Sequence, residues 1–166
     1  VPEIVRAKPE DAEALTEIAH AAKRHRGYPE RWIEAWRDIL TMRPEFIAAN
    51  VAYAAIENGR AVGFYVLTTE ADGIHLDHLW VLPSAMRRGI GRALLEHAAA
   101  EARNLGFDSI KIEADPNAEE FYKRRGAIRI GANVSHVEGE ERVLPLLEFP
   151  SQNPVETGRI NLPHAT

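Results

Sequence analysis

Met86-Arg87-Arg88-Gly89-Ile90-Gly91-Arg92 places two glycines and three arginines where a helix should begin, and the reading of this stretch decides the fold. Glycine is a poor helix former, and cationic side chains oppose the partial positive charge of a helix N-terminus. The segment is therefore in local conflict, and an anion removes it. Free backbone N–H groups bind phosphate oxygens, glycines let a phosphate approach the main chain, and guanidinium groups neutralise its charge. A phosphate-bearing ligand is the first expectation.

Working outward, Ile74 to Val81 reads as a strand that Pro83 ends. Ile90, Ala93, Leu94, Ala98, Ala102 and Leu105 then recur at helical spacing until Gly106. A further strand, Ser109 to Ala114, completes a βαβ-like unit. Other phosphate motifs fit poorly. A dinucleotide fingerprint requires glycine at Leu94, a P-loop requires Gly-Lys-Ser/Thr after Ile90, and a kinase glycine loop does not open a helix.

Two motifs carry a family resemblance. Leu79-Trp80-Val81-Leu82-Pro83, followed by Arg87-Arg88-Gly89-Ile90-Gly91-Arg92-Ala93-Leu94-Leu95, resembles the acetyl-CoA-binding signature of the GNAT N-acetyltransferase superfamily. Downstream, Asn117-Ala118-Glu119-Glu120-Phe121-Tyr122-Lys123-Arg124-Arg125-Gly126-Ala127 is similar to the family's later helix, with an opening asparagine and a Phe-Tyr pair before a glycine turn. The sequence departs from the pattern at Met86, where the family usually has Gln or Arg. The resemblance implies an α/β (α+β) single-domain fold: a mixed, mostly antiparallel sheet of six to seven strands, helices on both faces and splayed central strands. It also implies acetyl-CoA as cosubstrate, with backbone around Leu79, Trp80 and Val81 pairing with the pantetheine arm. The N–H groups of Arg87 to Arg92 would hold the pyrophosphate, with Ala93 continuing the motif, and Asn117 would bond the pantetheine or cap its helix.

Composition agrees. With 166 residues, 45% of them hydrophobic, the chain fits one domain with a continuous core. There is no apolar run long enough to span a bilayer and no signal-peptide pattern, so a soluble, cytoplasmic protein without membrane contact is expected. Zero cysteines exclude disulfides, thiolate metal sites and a covalent cysteine intermediate. A net charge of -5 argues against a broad nucleic-acid surface.

The remaining elements follow from periodicity and turn signals. Glu3 to Ala7 reads as a strand, Pro9-Glu10-Asp11 opens a helix to about Lys23, and a second helix after Gly27-Tyr28-Pro29 carries Trp32, Trp36, Ile39 and Leu40 on one apolar face. Val51 to Glu57 and Ala61 to Thr69 form a hairpin about Asn58-Gly59; Ile128 to Val137 and Arg142 to Phe149 form another. Residues 1–149 are thus expected as the domain. The polar tail 150–166, with Pro150, Pro154 and Pro163, is expected to pack on the domain or on a partner subunit through Val155, Ile160 and Leu162, as an arm exchanged in a homodimer.

Acetyl transfer to an amine needs an acceptor for the amine's proton, a donor to the thioester carbonyl and an acid near the departing thiolate. The family often places a tyrosine at Tyr122; a phenol stays protonated at neutral pH, so Tyr122 either serves as that acid or only packs beside Phe121. For the base, strict alternation puts His75, Asp77, Leu79 and Val81 on one face of the strand, opposite Leu76, His78 and Trp80. The resemblance favours Asp77 or His75, leaving His78 to packing. Because alternation separates His78 from the other two, His75-x-Asp77-His78 is not expected to bind a metal. Tyr28, Trp32, Trp36 and Phe46 either line an acceptor wall or form core. Between His20 and Asn50, Lys23, Arg24, Arg26, Arg31, Arg37 and Arg43 outnumber Glu30, Glu34, Asp38 and Glu45 by two, a hint of an acceptor bearing a carboxylate. The acceptor class stays open among a small amine, an amino acid and a protein N-terminus. So does the function: N-acetyltransferase, a relative with another acyl-CoA or acceptor, or a non-catalytic CoA-binding module.

Overall fold

The computed structural model of the chain describes residues 2–151. The expected contacts of Val155, Ile160 and Leu162, and the exchanged arm built on them, lie outside the described residues. Seven strands form one sheet in the order β1-β2-β3-β4-β5-β7-β6: β1 Glu3–Arg6, β2 Val51–Glu57, β3 Arg60–Glu70, β4 Gly73–Val81, β5 Ser109–Glu113, β6 Ile128–Val137 and β7 Glu140–Pro150. Every neighbouring pair is antiparallel except β4 with β5. Five helices complete the fold: α1 Ala12–His25, α2 Glu30–Ala35, α3 Pro44–Ala49, α4 Ile90–Asn104 and α5 Glu119–Arg124.

Strand β3 shows why the sheet sits where it does. Its Phe64-Tyr65-Val66-Leu67 run is apolar on both faces, as a strand covered on both sides requires. Phe64 and Val66 pack with Leu15, Ile18 and Ala19 of α1 and Ile47 of α3, whereas Tyr65 and Leu67 pack with Leu94, Leu95 and Ala98 of α4. The α1 helix carries Glu13 in its first turn and Lys23, Arg24 and His25 in its last, each sign matched to the helix dipole.

The expected second helix is shorter than its apolar pattern suggests. It ends at Ala35, Leu40 is buried but Ile39 is 67% exposed, and Pro44 starts a separate α3 that the sequence reading did not anticipate. At the other end, β7 runs through Pro150, and the Ser151 N–H and hydroxyl bond the Asp108 and Phe107 carbonyls. Strand β7 thus extends one residue beyond the expected Phe149 end of the second hairpin.

Two irregularities position the site. The parallel β4–β5 pair holds for only Ile74↔Ile110 and His75↔Lys111, after which the strands fork and the β5-facing edge of β4 has no strand partner. Across the other edge, Val66 pairs with His78 and Leu67 with Leu76, so Asp77 is the extra residue of a β-bulge. The bulge breaks the alternation expected from sequence. Leu76 joins Leu79 and Val81 on the α4 face, while His78 meets Phe46 and Phe64 on the α1 face. His75 and Asp77 are thus not on the face of Leu79, because one inserted residue shifts the pleat by one.

Candidate active site: two chambers divided by Trp80

The fork opens into a cavity of about 220 Å³ on the α4 side, lined by Leu79, Trp80, Val81, Arg87, Gly89, Ile90, Gly91, Arg92 and Tyr122, with Arg26 and Arg125 completing the wall. Here the arginine-glycine loop has the form its sequence predicts. Gly89 caps α4 with φ +81, a left-handed conformation open to glycine without a Cβ penalty. Arg87 adopts φ +63 despite its side chain, a strained state that ligand-binding loops commonly hold. The first helical bond runs from Ala93 N–H to Gly89 O at 3.0 Å, so the N–H groups of Ile90, Gly91 and Arg92 precede the ladder.

Not every motif residue reaches this chamber. Arg88 is held by a two-pronged pair with Glu57 at 2.8 and 3.2 Å. Asn117 donates from its side chain to Tyr28 Oη at 3.0 Å, and its N–H bonds Asp115 Oδ1 at 2.9 Å. Neither of these, nor Ala93, lines the cavity. Tyr122 does, and burial pushes its phenol up to about 12 against the opposing charge of Arg26.

A second cavity of about 240 Å³ lies beyond Trp80, lined by Asp77, His78, Trp36, Glu113, Lys23 and Arg142 among others. Trp80 borders both. Its indole N–H donates to His78 Nδ1 at 3.0 Å. An indole can only donate, so Nδ1 must accept, and the neutral imidazole carries its proton on Nε2. Burial drives the His78 pKa down, with Asp77 opposing, which keeps the ring neutral. His78 Nε2 stands 3.7 Å from Asp77 Oδ2. His75 is elsewhere: its Nε2 lies 2.7 Å from Asp72 Oδ1 and 3.8 Å from Glu70 at the β3–β4 turn. Lys111 also bonds Asp72, at 3.3 Å.

The residue that sequence reasoning missed is Asp115. Its Oδ2 lies 2.7 Å from Lys23 Nζ, 2.9 Å from Arg26 Nη1 and 3.7 Å from Arg142 Nη2, and its Oδ1 accepts from Tyr28 Oη at 2.9 Å. Burial alone would raise the carboxyl's pKa, but Lys23 and Arg26 overcome this and hold it far below the ordinary range. Around this centre, Tyr28, Trp32 and Trp36 pack ring to ring within 5.8 Å, with Arg142 over all three at 6.0 Å or less. Of the trio, Trp36 lines the second cavity, and Tyr28 and Trp32 pack against it. The local signal of Asp115, an acid before Pro116, reads only as a cap; its partners come from α1 and β7, far away in the chain.

A family model described as the Acetyltransferase (GNAT) family matches residues 12–127. The chain belongs to this family. Among solved structures, it resembles a GCN5-related N-acetyltransferase from Rhodopseudomonas palustris at 26% identity, covering 90% of this chain and 96% of that one, with a TM-score of 0.76. PaiA N-acetyltransferase from Thermoplasma acidophilum, determined in complex with coenzyme A, matches at 22% identity over 90% and 99% of the two chains, with a TM-score of 0.70. YncA from Salmonella typhimurium, determined with its cofactor acetyl-CoA, matches at 19% over 92% and 95%, with a TM-score of 0.66. No curated protein sequence matches the chain significantly. Among the described residues, no helix is long and apolar enough to cross a membrane.

Proposed function

We propose that this GNAT acetyltransferase moves an acetyl group from acetyl-CoA to a primary amine by direct attack in a ternary complex. The observation that carries the reading is a pair of cavities that share Trp80 in their walls: one lined by the arginine-glycine loop and Tyr122, the other by Asp77. Acetyl-CoA, when bound, supplies an acetyl group activated as a thioester.

The residues of the first chamber fit an anionic coenzyme. Arg125 Nε is buried there without a hydrogen-bond partner, and no protein acceptor engages the N–H groups of Ile90, Gly91 and Arg92 among the described residues. Phosphate oxygens satisfy such donors, with Arg87 adding charge; Arg92, beside it, pairs with Glu96 at 3.0 Å. Beyond the fork, the free edge of β4 at Leu79 to Val81 offers backbone groups to an amide-bearing arm.

In the second chamber, Asp77 accepts the proton that the amine must lose before it can attack. His78, kept neutral by burial and with its tautomer set by Trp80, faces Asp77 Oδ2 at 3.7 Å, beyond hydrogen-bond reach, and does not compete for the proton. Tyr122 Oη keeps its proton across neutral pH and donates it to the departing thiolate. No covalent intermediate on a cysteine is available, since the chain has none.

The test is acetyl-CoA-dependent thiol release over a broad panel of amines, run beside coenzyme-induced thermal stabilisation. Expected are turnover with at least one amine and a melting shift that shrinks at high salt. A coenzyme shift with no turnover on any amine would instead assign a CoA-binding module.

A further inference from the structure

We infer that the acceptor is a free amino acid with an apolar side chain, whose carboxylate docks on Arg142 while its amine meets Asp77. This deepens the acetyltransferase reading and rests on it. Of the six Lys and Arg residues between His20 and Asn50, four pair outside the buried cluster. Arg24, Arg31, Arg37 and Arg43 each meet an acid near the surface, respectively Glu30, Glu140, Glu34 and Asp38. Lys23 and Arg26 do not have one each. They share the Asp115 carboxylate with Arg142, so three positive charges converge on one negative charge in a cluster whose side chains are at most 22% exposed.

A surplus of two buried positive charges calls for another anion, since leaving charge unneutralised away from water is costly. Lys23 already carries the effect: burial lowers its pKa, and Arg26 and Arg142 add to the lowering against Asp115. Arg142 is the least committed of the three. It stands 3.7 Å from Asp115, and among the described residues its one hydrogen bond goes from Nη2 to Tyr28 Oη at 2.9 Å. Stacked on Trp36 at 4.9 Å, its planar fork lines the second chamber with N–H groups to spare, the geometry that takes a carboxylate in two parallel bonds.

The opposite charge waits on the strands flanking the fork. Asp77 of β4 and Glu113 of β5 line the same chamber, and neither pairs with Lys or Arg among the described residues: Asp77 faces only His78, and Glu113 accepts from Asn133 Nδ2 at 2.7 Å. The chamber is therefore dipolar, cationic toward α1 and β7 and anionic toward the fork. A ligand with an ammonium and a carboxylate relieves one charge at each end. A simple alkylamine leaves the cationic end unsatisfied, and so does a protein N-terminus, whose neighbouring carbonyl is an uncharged amide. In the same cavity, Trp36, Ile39, Leu40 and Leu144 offer an apolar surface for the side chain.

The experiment compares leucine, phenylalanine and methionine with their carboxamides and with the corresponding decarboxylated amines, measuring kcat/KM for acetyl transfer per mole of free amine. The amino acid is expected to exceed both analogues at least tenfold. Arg142→Gln should bring the acid-to-amide ratio toward one, and Arg142→Lys should keep part of it. Amides or decarboxylated amines acetylated as well as the acids would overturn the inference while leaving the acetyltransferase standing; an unchanged ratio in folded Arg142→Gln would do the same. Acetyl-CoA binding without turnover on any of these compounds or any other amine would remove the acetyltransferase reading and this inference together. Should Arg142→Gln not fold, the comparison of the three compound classes on the unmodified protein decides alone.

Discussion

The two chambers are built from different materials. The wall under α4 is made of main chain: a left-handed turn at Gly89 and three N–H groups ahead of the helical ladder. The wall under α1 is made of side chains drawn from α1, β4, β5 and β7 and pinned to one carboxylate, Asp115. A main-chain site depends on local sequence and survives many substitutions around it. A side-chain site depends on distant partners, and one change can dismantle it.

The contrast is broken most severely at its pin. Asp115→Asn leaves Lys23 and Arg26 buried without their counter-charge and should cost about 3 to 5 kcal/mol of folding stability, measured by urea titration. The sign of its pH dependence follows from a folded pKa held below the unfolded one. The carboxylate's contribution is complete above the ordinary value of 3.8 and drains away as pH falls below it toward the depressed folded value. Acid unfolding of the wild type should therefore show a component between these limits that Asp115→Asn lacks.

Asp77→Asn comes next. If Asp77 takes the amine's proton, turnover should fall roughly a hundredfold, and the rise of rate with pH should move toward that of the free amine, with coenzyme affinity unchanged. Gly89→Glu tests the main-chain wall: a negative side chain at the helix start should weaken acetyl-CoA binding by tenfold to a hundredfold, read by calorimetry. Gly89→Ala, which adds only the penalty of a left-handed alanine, separates charge from strain. Tyr122→Phe should lower turnover about tenfold and spare coenzyme affinity. The smallest expected effect is on His78. Its folded pKa lies below the ordinary 6.5, so the stability linked to its neutral form is complete above 6.5 and lost as pH drops below it; His78→Gln should flatten stability in that window.

The same contrast explains what the sequence disclosed. The α4 wall was legible because its glycines and arginines are contiguous, and the strands because alternation and Asn58-Gly59 mark them. Asp77 was legible as a residue and misplaced in space, since a bulge leaves no mark in a strand that reads as regular on both sides. His75 shares its type with a base and is instead engaged by Asp72. Arg142 and Asp115 meet across 26 intervening positions, and Lys23 lies 92 residues from Asp115, distances at which pattern carries no information. The apolar face of the second helix holds in part: Trp36, Ile39 and Leu40 line one cavity, but α2 ends at Ala35 and Ile39 stays 67% exposed.

Trp80 has one more consequence. On the proposed function, Trp80 borders both the coenzyme's cavity and the acceptor's. A synthetic compound that joins the thiol end of a pantetheine chain to the nitrogen of an amino acid would pass this side chain. Its second half would engage as an intramolecular event at a high effective concentration, so its affinity should exceed that of either half by orders of magnitude. A shared Trp80 border thus favours inhibition by one long molecule over two short ones.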